Sequence, residues 1–253
     1  MLVVVSPAKR LDETDAKSMQ GTQPVFQDQA NTLAETARGL KSKDLEKLMH
    51  ISPALGALNV ARFAEFGTGA GEKPAIEMFA GDTYAGLDAA SLDDDELRYA
   101  QDHLCILSGL YGVLRPMDQI APHRLEMGTR IKTSRGKNLY EFWGDRISRE
   151  FMARAKSTGS DLLVNCASVE YFSAVDRRAL DLRIITPQFL EMKAGQPKVV
   201  SFFAKKARGA LARFIVQNRV RDPETLKSFD LGGYKFQPSM SDGDDLVFLR
   251  DET

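Results

Sequence analysis

The sequence has few of the residues that build disulfide frameworks and metal centres. It contains two cysteines and three histidines among its 253 residues. Cys105 and Cys166 lie far apart in the chain, each inside an apolar run, and the histidines are scattered. Because no zinc-type spacing is present, we predict no disulfide, no metal site and no cofactor, and we expect both thiols to be buried.

Long hydrophobic runs and a strong net charge are also missing. No segment approaches the roughly 20 apolar residues that span a membrane, and the opening MLVVVSP lacks the basic flank of a signal peptide. The formal net charge of -1 argues against a protein that coats nucleic acid over its whole surface. We expect a cytoplasmic protein without membrane contact, and we expect it to be a monomer.

Acidic residues are absent from the whole segment between Lys193 and Arg221. Helical spacing of its apolar residues predicts an amphipathic helix over Lys205–Val220 with one cationic face. Lys205 and Lys206 would lie in the first turn, where the helix dipole disfavours cations and a bound phosphate would relieve the cost. We interpret the segment as an anion-binding site; an ordinary solvated basic face is the alternative. Its eight basic residues are Lys193, Lys198, Lys205, Lys206, Arg208, Arg213, Arg219 and Arg221.

Short apolar runs and helical patterns follow one another along the chain without strict alternation. This mixture predicts a single α+β (mixed α/β) domain over residues 1–253, with a central mixed sheet flanked by helices. The predicted strands are Leu2–Val5, Leu104–Leu107, Leu162–Asn165, Leu182–Thr186 and Lys198–Phe203, with a late hairpin of Tyr234–Gln237 and Leu246–Arg250. The predicted helices are Gln27–Arg38, Lys43–His50, Ala54–Phe66, Asp93–His103 with Ser91 as N-cap, Leu139–Lys156, Ser168–Val175 and Lys205–Val220.

Three of the predicted strands end in small or turn-forming residues, at Ser6-Pro7, Ser108-Gly109 and Ala167-Ser168. Ligands of open sheets gather beyond the carboxyl ends of strands. If the three strands are neighbours, their ends therefore form one cleft; simple tight turns are the alternative. The polar residues that follow the strand ends are Lys9, Arg10, Tyr111, Arg115, Glu170 and Tyr171, and Lys205, Lys206 and Arg208 would join the same rim.

Several motifs occur in a fixed order along the chain: SPAK near the start, LSGLYGVLRP at Leu107–Pro116, RLEMG at Arg124–Gly128, FWGD at Phe142–Asp145, NCASVEYF at Asn165–Phe172, FFAKKARG at Phe202–Gly209, then ARF and GGYKF. Through these motifs the sequence resembles the YaaA family of bacterial peroxide-stress proteins from Met1 to Arg250. Arg10 stands where the family usually has threonine, and Val169 stands where it usually has an acid. Both differences make the predicted cleft more positive.

The resemblance implies a single α/β-type domain with a positively charged cleft and a helix-hairpin-helix element that binds duplex DNA. It also implies a cytosolic protein that protects cells from hydrogen peroxide, linked to protection of DNA and to limitation of free iron. The family has no settled catalytic residue set, so none is carried over. The helix-hairpin-helix is expected at residues 43–66, with Ser52 and Pro53 opening its second helix. A plain helical hairpin is the alternative, because the usual hairpin glycines are absent.

DNA binding is the first functional hypothesis. It assigns phosphate contacts to the cations of the predicted cleft and base stacking to Tyr111 or Tyr171, whereas we expect Trp143 to pack in the core. The predicted phosphate-binding residues are Lys9, Arg10, Arg115, Lys205, Lys206, Arg208 and Arg213.

An enzyme that acts on a nucleotide or on damaged nucleic acid is the second hypothesis. Glu126 or Glu170 would be its general acid or base. Direct sequestration of iron by Asp93, Asp94 and Asp95 ranks below both hypotheses, because consecutive acids on a helix point in different directions.

Overall fold

The computed structural model describes residues 1–15 and 21–251. Along the chain, the strands of a central sheet are separated by helices and by short strands that form two small separate sheets. The strands are β1 Leu2–Val5, β2 Arg10–Leu11, β3 Lys73–Pro74, β4 Phe79–Ala80, β5 Leu104–Ser108, β6 Gly112–Leu114, β7 Gln119–Ile120, β8 Leu162–Cys166, β9 Arg183–Lys193, β10 Gln196–Lys198, β11 Tyr234–Phe236 and β12 Asp245–Arg250. The α-helices are α1 Gln27–Arg38, α2 Ser42–Met49, α3 Pro53–Glu65, α4 Ala75–Met78, α5 Asp82–Leu87, α6 Asp94–His103, α7 Leu139–Trp143, α8 Arg146–Thr158, α9 Val169–Phe172 and α10 Ser201–Gln217.

The central sheet is mixed, as the sequence predicts. Its strands follow the order β11-β12-β9-β8-β1-β5-β6, and β10 pairs with the far end of β9. β12, β9, β8, β1 and β5 are parallel, whereas β6 and β11 are antiparallel to their neighbours. Every residue of β1, β5 and β8 is buried. These strands therefore read as continuous apolar runs, which is typical of a parallel sheet covered on both faces.

Most of the predicted elements are confirmed. β1 and α1 have the predicted bounds, β5 and β8 are each one residue longer, and β11 and β12 form the predicted late hairpin. α2 and α3 pack together as a helical hairpin over the predicted segment. Ser52 caps α3 by accepting a hydrogen bond from the Leu55 backbone N–H at 3.4 Å, and Pro53 is the first helical residue.

The prediction of a strand at Lys198–Phe203 is wrong, and the basic helix therefore begins earlier in the chain than predicted. Only Gln196–Lys198 is extended, and α10 begins at Ser201. The run VVSFF is too short for periodicity to separate a strand from a helix, and the helix formers that follow it extend the helix backwards. Lys205 and Lys206 consequently lie in the second turn of α10 and not in the first.

Three other boundaries differ from the prediction for local reasons. The predicted helix Leu139–Lys156 is split at Gly144, which adopts a positive φ of 54° between α7 and α8. The N-cap of α6 is Asp93 and not Ser91, because the Asp93 carboxylate accepts hydrogen bonds from the backbone N–H groups of Asp95 and Glu96. β9 continues past the predicted end at Thr186 to Lys193, where β10 pairs with it.

α10 lies across the sheet and places its first turns at one edge. It contacts β9, β1 and β8 and crosses α5. β9 runs parallel to β8, and the chain then turns back through β10 before α10 begins. The first turns of α10 therefore lie on the side of the sheet where β1, β5 and β8 end. Within the described residues, no helix is long and apolar enough to cross a membrane.

Candidate functional site

The three predicted strand ends lie side by side. β1 is paired with β5 on one side and β8 on the other, all parallel. We call the ends of these strands, at Val5, Ser108 and Cys166, the carboxyl edge. Two of the following turns are joined directly, because the Ser6 hydroxyl accepts a hydrogen bond from the Ser168 backbone N–H at 2.9 Å. The pattern of small residues after three strands therefore identified a single edge of the sheet.

Glu126 is held at the carboxyl edge by two cations. Its Oε2 lies 3.1 Å from Lys9 Nζ. Its Oε1 accepts hydrogen bonds from Arg124 Nε at 3.0 Å and from an Arg124 terminal nitrogen at 2.7 Å. The Glu126 side chain keeps 16% of its surface exposed. Sequence reasoning singled out Lys9 and Glu126 but missed Arg124, although Arg124 opens the RLEMG motif.

These side chains line a small pocket, which we call the strand-end pocket. Its volume is about 20 Å³, which is enough for a single water molecule. A pocket of this size can hold one small polar group at the closed end of a larger binding surface. The residues around it include Pro7, Ala8, Lys9, Phe79, Ser108, Gly109, His123, Arg124, Leu125, Glu126 and Tyr171.

His123 is a second residue of the strand-end pocket, besides Arg124, that sequence reasoning did not single out. Burial lowers its pKa to about 4, so the ring is neutral at pH 7. Its Nδ1 lies 2.9 Å from the Ala121 carbonyl oxygen. Because a carbonyl only accepts hydrogen bonds, Nδ1 carries the proton and Nε2 keeps its lone pair. No pattern in the sequence marks this histidine, since its neighbours come from separate segments.

Glu170 has a different environment from Glu126. Its side-chain Oε1 accepts a hydrogen bond from the Gly128 backbone N–H at 2.9 Å. Its backbone carbonyl oxygen accepts one from the Tyr140 hydroxyl at 3.0 Å. Burial raises the pKa of the Tyr171 hydroxyl most, and the negative charges of Glu170 and Glu126 raise it further. Glu126 and Glu170 are therefore near the same tyrosine, but Glu170 ties α9 to the segment after Glu126.

The first turns of α10 bring further cations to this side of the sheet. Lys205 and Lys206 are exposed and Arg208 is half-buried. Burial raises the pKa of Cys166 to about 12, and the positive charge of Arg208 opposes this shift, so Arg208 lies close to the end of β8. Among the described residues, Lys205, Lys206 and Arg208 have no hydrogen-bonded or ion-paired side-chain partner. Their charges are available to a ligand.

Arg115 and Arg213 do not belong to this group of cations. Arg115 follows β6, which runs antiparallel to β5 and carries it to the level of Cys105, roughly 10 Å from the carboxyl edge. Its Nε lies 3.0 Å from the fully buried carboxylate of Asp118. Arg213 donates to the backbone carbonyls of Leu87 at 3.1 Å and Asp88 at 2.7 Å. Both side chains have structural partners that the sequence pattern could not reveal.

Arg10 lines a different and larger space. It lies in β2, which pairs with β4. Arg10 borders a cavity of about 890 Å³, which is also lined by Asp12, Lys73 and Leu97. Of the two cations after β1, only Lys9 therefore reaches the strand-end pocket.

Tyr111 does not fit the predicted role in base stacking. Its side chain is 1% exposed, and its hydroxyl accepts a hydrogen bond from the Ala121 backbone N–H at 3.1 Å. Tyr171 lines the strand-end pocket but is only 9% exposed. Trp143 packs in the core as expected, with its Nε1–H donating to the Gly109 carbonyl at 3.0 Å. The exposed aromatic ring on this side is that of Phe202, which lies in α10 and not in the strand that the sequence predicts.

The thiols have no reactive character. Cys105 and Cys166 are both buried, as predicted, and burial raises their pKa values to about 11 and about 12. Both are therefore protonated at pH 7, and a thiol is a poor nucleophile compared with a thiolate.

Comparison with known proteins gives full-length similarities. A family model described as peroxide stress protein YaaA matches residues 1–240. A UPF0246 protein of Ruegeria pomeroyi is 58% identical over 253 residues, which cover 99% of this chain and 98% of that protein. One of Cereibacter sphaeroides is 57% identical over 255 residues, covering 99% of each chain. One of Jannaschia sp. is 55% identical over 253 residues, covering 100% of this chain and 98% of that protein. The matched residues include the carboxyl edge and α10.

Proposed function

The chain belongs to the family of the peroxide stress protein YaaA, and from that premise we propose that it acts in the cytoplasm against hydrogen peroxide damage by binding DNA. The DNA backbone would lie across the carboxyl edge, on Lys205, Lys206 and Arg208, with Lys9 next to it. The observation that supports this proposal best is the set of three cations in α10 without a side-chain partner in the described chain. A polyanion supplies the missing partners.

The local electrostatics favour an anion at this position. α10 has no acidic residue in its first turn, and its N-cap residue, Val200, makes no side-chain capping bond. The helix dipole and the first N–H groups favour negative charge there. Lys205 and Lys206, in the second turn of α10, are adjacent like charges that repel each other when no anion is present. Bound phosphate oxygens would offset this repulsion.

The test is fluorescence anisotropy of labelled duplex DNA with a Lys205→Ala/Lys206→Ala variant. We expect affinity to fall by at least tenfold at low salt, and the slope of log K against log salt to become less steep by up to about 2, since each phosphate contact contributes about 0.9.

The matched control is Lys156→Ala/Lys235→Ala, which removes the same charge from exposed sites outside α10. Lys156 lies in the last turn of α8, just before the amino end of β8. We expect this control to bind like the unmodified protein. Equal losses in the two variants would contradict a local interface, and an unmodified protein that fails to bind duplex DNA would contradict the proposed function.

That the α2–α3 hairpin is a DNA-binding helix-hairpin-helix stays a prediction. Ser52 already caps the first turn of α3, and no glycine lies between the helices.

We propose that any effect on cellular iron is indirect. Asp93 uses its carboxylate to cap α6, and Asp95 pairs with Arg98 and Arg219, so two of the three carboxylates already have partners.

An enzyme acting on a nucleotide or on damaged nucleic acid is the second candidate. The observation in its favour is the pairing of Glu126 with Lys9 and Arg124 in a pocket that the neutral ring of His123 also lines. In that case Glu126→Gln should leave DNA affinity within about twofold but reduce the survival of peroxide-treated cells that depend on the protein. Full rescue by folded Glu126→Gln and Glu170→Gln proteins would count against an enzyme.

A further inference from the structure

Phe202 is an aromatic ring left in solvent beside the basic residues of α10. Its side chain is 54% exposed, and it is the only aromatic residue among the exposed large apolar residues of the described chain. Val199, three residues earlier, is 65% exposed. Since most rings of this protein are buried, an exposed ring beside unpaired cations marks a contact surface and not a part of the core.

Phe202 shares one face of α10 with two of the cations. Lys205 and Lys206 follow it at i+3 and i+4, and side chains at these spacings are neighbours on a helix surface. One turn later the helix is covered, because Gly209 lies against the Thr83 backbone of α5. The exposed part of α10 is therefore short: one aromatic ring with two ammonium groups directly behind it.

The ring of Phe202 is supported from below. Its centroid lies 5.2 Å from that of Phe203 in an edge-to-face contact. The guanidinium of Arg250 lies 4.0 Å over the Phe203 ring, and Arg250 Nε is 2.7 Å from Glu191. A ring held in this way loses little conformational entropy when a flat group stacks on it.

We propose that Phe202 is a stacking platform for an unpaired base, while Lys205 and Lys206 hold the phosphates on either side of that base. This inference rests on the proposed function and adds a preference for DNA with locally unpaired bases. An aromatic ring next to cations is the combination that single strands use, because every base has a π-face and every nucleotide has a phosphate. In duplex DNA the bases are already stacked, so the ring gains no such contact.

An anionic membrane surface would also be attracted to cations beside an apolar ring, but it fits the geometry less well. Helices that bind in a membrane interface bury a long apolar face. The apolar residues of α10 after its first turn, including Ala207, Leu211 and Ile215, pack inside the protein. A single exposed ring and Val199 supply too little apolar surface, whereas a single base needs no more than one ring.

The experiment compares three labelled DNAs by anisotropy: a duplex, the same duplex with a central bubble, and a single strand. Phe202→Ala and Phe202→Leu are measured beside the unmodified protein. We expect both variants to bind the bubble and the single strand about 5- to 150-fold more weakly, which corresponds to the usual contribution of one base stack. Their affinity for the duplex should stay within about twofold.

Leu231→Ala is the matched control, because Leu231 is 41% exposed and lies outside α10. We expect it to bind all three DNAs normally. Phe202→Trp provides a direct readout: we expect it to keep the affinity for the bubble and to lose tryptophan fluorescence when the single strand is added. Trp143 is fully buried and should contribute a constant background.

The outcomes separate the two proposals. Loss of bubble affinity in Phe202→Ala with an unchanged duplex affinity supports the stacking platform. Equal losses on the duplex and the bubble, or no loss on either, overturn the platform while DNA binding stands. Failure of the unmodified protein to bind any DNA overturns both proposals. Binding to vesicles of anionic phospholipid that requires Phe202, with unchanged DNA affinity in Phe202→Ala, overturns the platform in favour of a membrane contact.

Discussion

At the scale of single residues, the surroundings of a side chain decide its role more than its type does. Glu126 and Glu170 are the two carboxylates of interest at the carboxyl edge. Glu126 accepts hydrogen bonds from Arg124 and pairs with Lys9, whereas Glu170 accepts one from a backbone N–H. The contacts of Glu126 bring charged side chains together in the strand-end pocket, whereas the hydrogen bond of Glu170 joins α9 to the segment at Gly128. Glu126 is therefore the better candidate for chemistry.

His123 gives a residue-scale prediction about stability and pH. Its pKa is about 4 in the folded protein, where burial lowers it, and 6.5 in the unfolded chain. The unfolded chain therefore binds a proton more readily, and the stability that His123 contributes is present above pH 6.5 and lost as pH falls towards about 4. We expect the free energy of unfolding to fall by about 3 kcal/mol from this residue between about pH 7 and pH 4.

The measurement is guanidinium-induced unfolding across that pH range for the unmodified protein and for His123→Phe. The variant should lose this part of the pH dependence, because its ring cannot be protonated. His50→Asn is the control, since His50 is exposed and has the positive φ of 51° that asparagine tolerates. A His123→Phe protein with the same pH dependence as the unmodified protein would contradict the assignment.

At the scale of elements, the crossing of α5 and α10 positions the basic residues. Gly86 of α5 lies against the Lys206 carbonyl, and Gly209 of α10 lies against the Thr83 carbonyl. Arg213 adds hydrogen bonds to the last carbonyls of α5. A methyl group at either glycine would overlap a backbone oxygen of the other helix, so only glycine permits this distance between the helices.

Gly209→Ala should therefore destabilise the protein by about 2–4 kcal/mol, because the two backbones must separate. Thermal unfolding followed by circular dichroism measures the effect. Gly39→Ala is the control: Gly39 has φ −72°, and an added methyl group would lie at an ordinary contact distance of 3.5 Å from the Thr36 carbonyl oxygen, so alanine fits and should be neutral or slightly stabilising. Similar melting temperatures for Gly209→Ala and Gly39→Ala would show that the crossing can relax.

At the scale of the whole molecule, parallel strands concentrate the polar groups at one edge. β1, β5 and β8 all end there, and α10 begins on the same side. The net charge of -1 hides this local concentration, because acids elsewhere balance the cations of α10. If DNA binds here as proposed, it contacts a limited patch, so we expect the number of phosphate contacts to be small.

Local sequence patterns were sufficient to predict the parts of the fold that depend on them. Buried strands of a parallel sheet are continuous apolar runs, so β1, β5 and β8 could be predicted almost to the residue. The same holds for α1 and for the N-cap of α3 at Ser52, where the signal lies within a few residues. The motifs also identified the family, because several blocks in a fixed order rarely coincide by chance.

Which polar residues meet depends on contacts between segments that are distant in the sequence. The loop after β7 packs against Gly109 at the end of β5. It thereby brings Arg124 and Glu126 to Lys9, which follows the neighbouring β1. Arg115 is carried away by the antiparallel turn into β6. Tyr111 is buried and Phe202 exposed, although both are aromatic residues near predicted strand ends. Burial and partnership are properties of contacts between distant segments, and periodicity along the chain carries no information about those contacts.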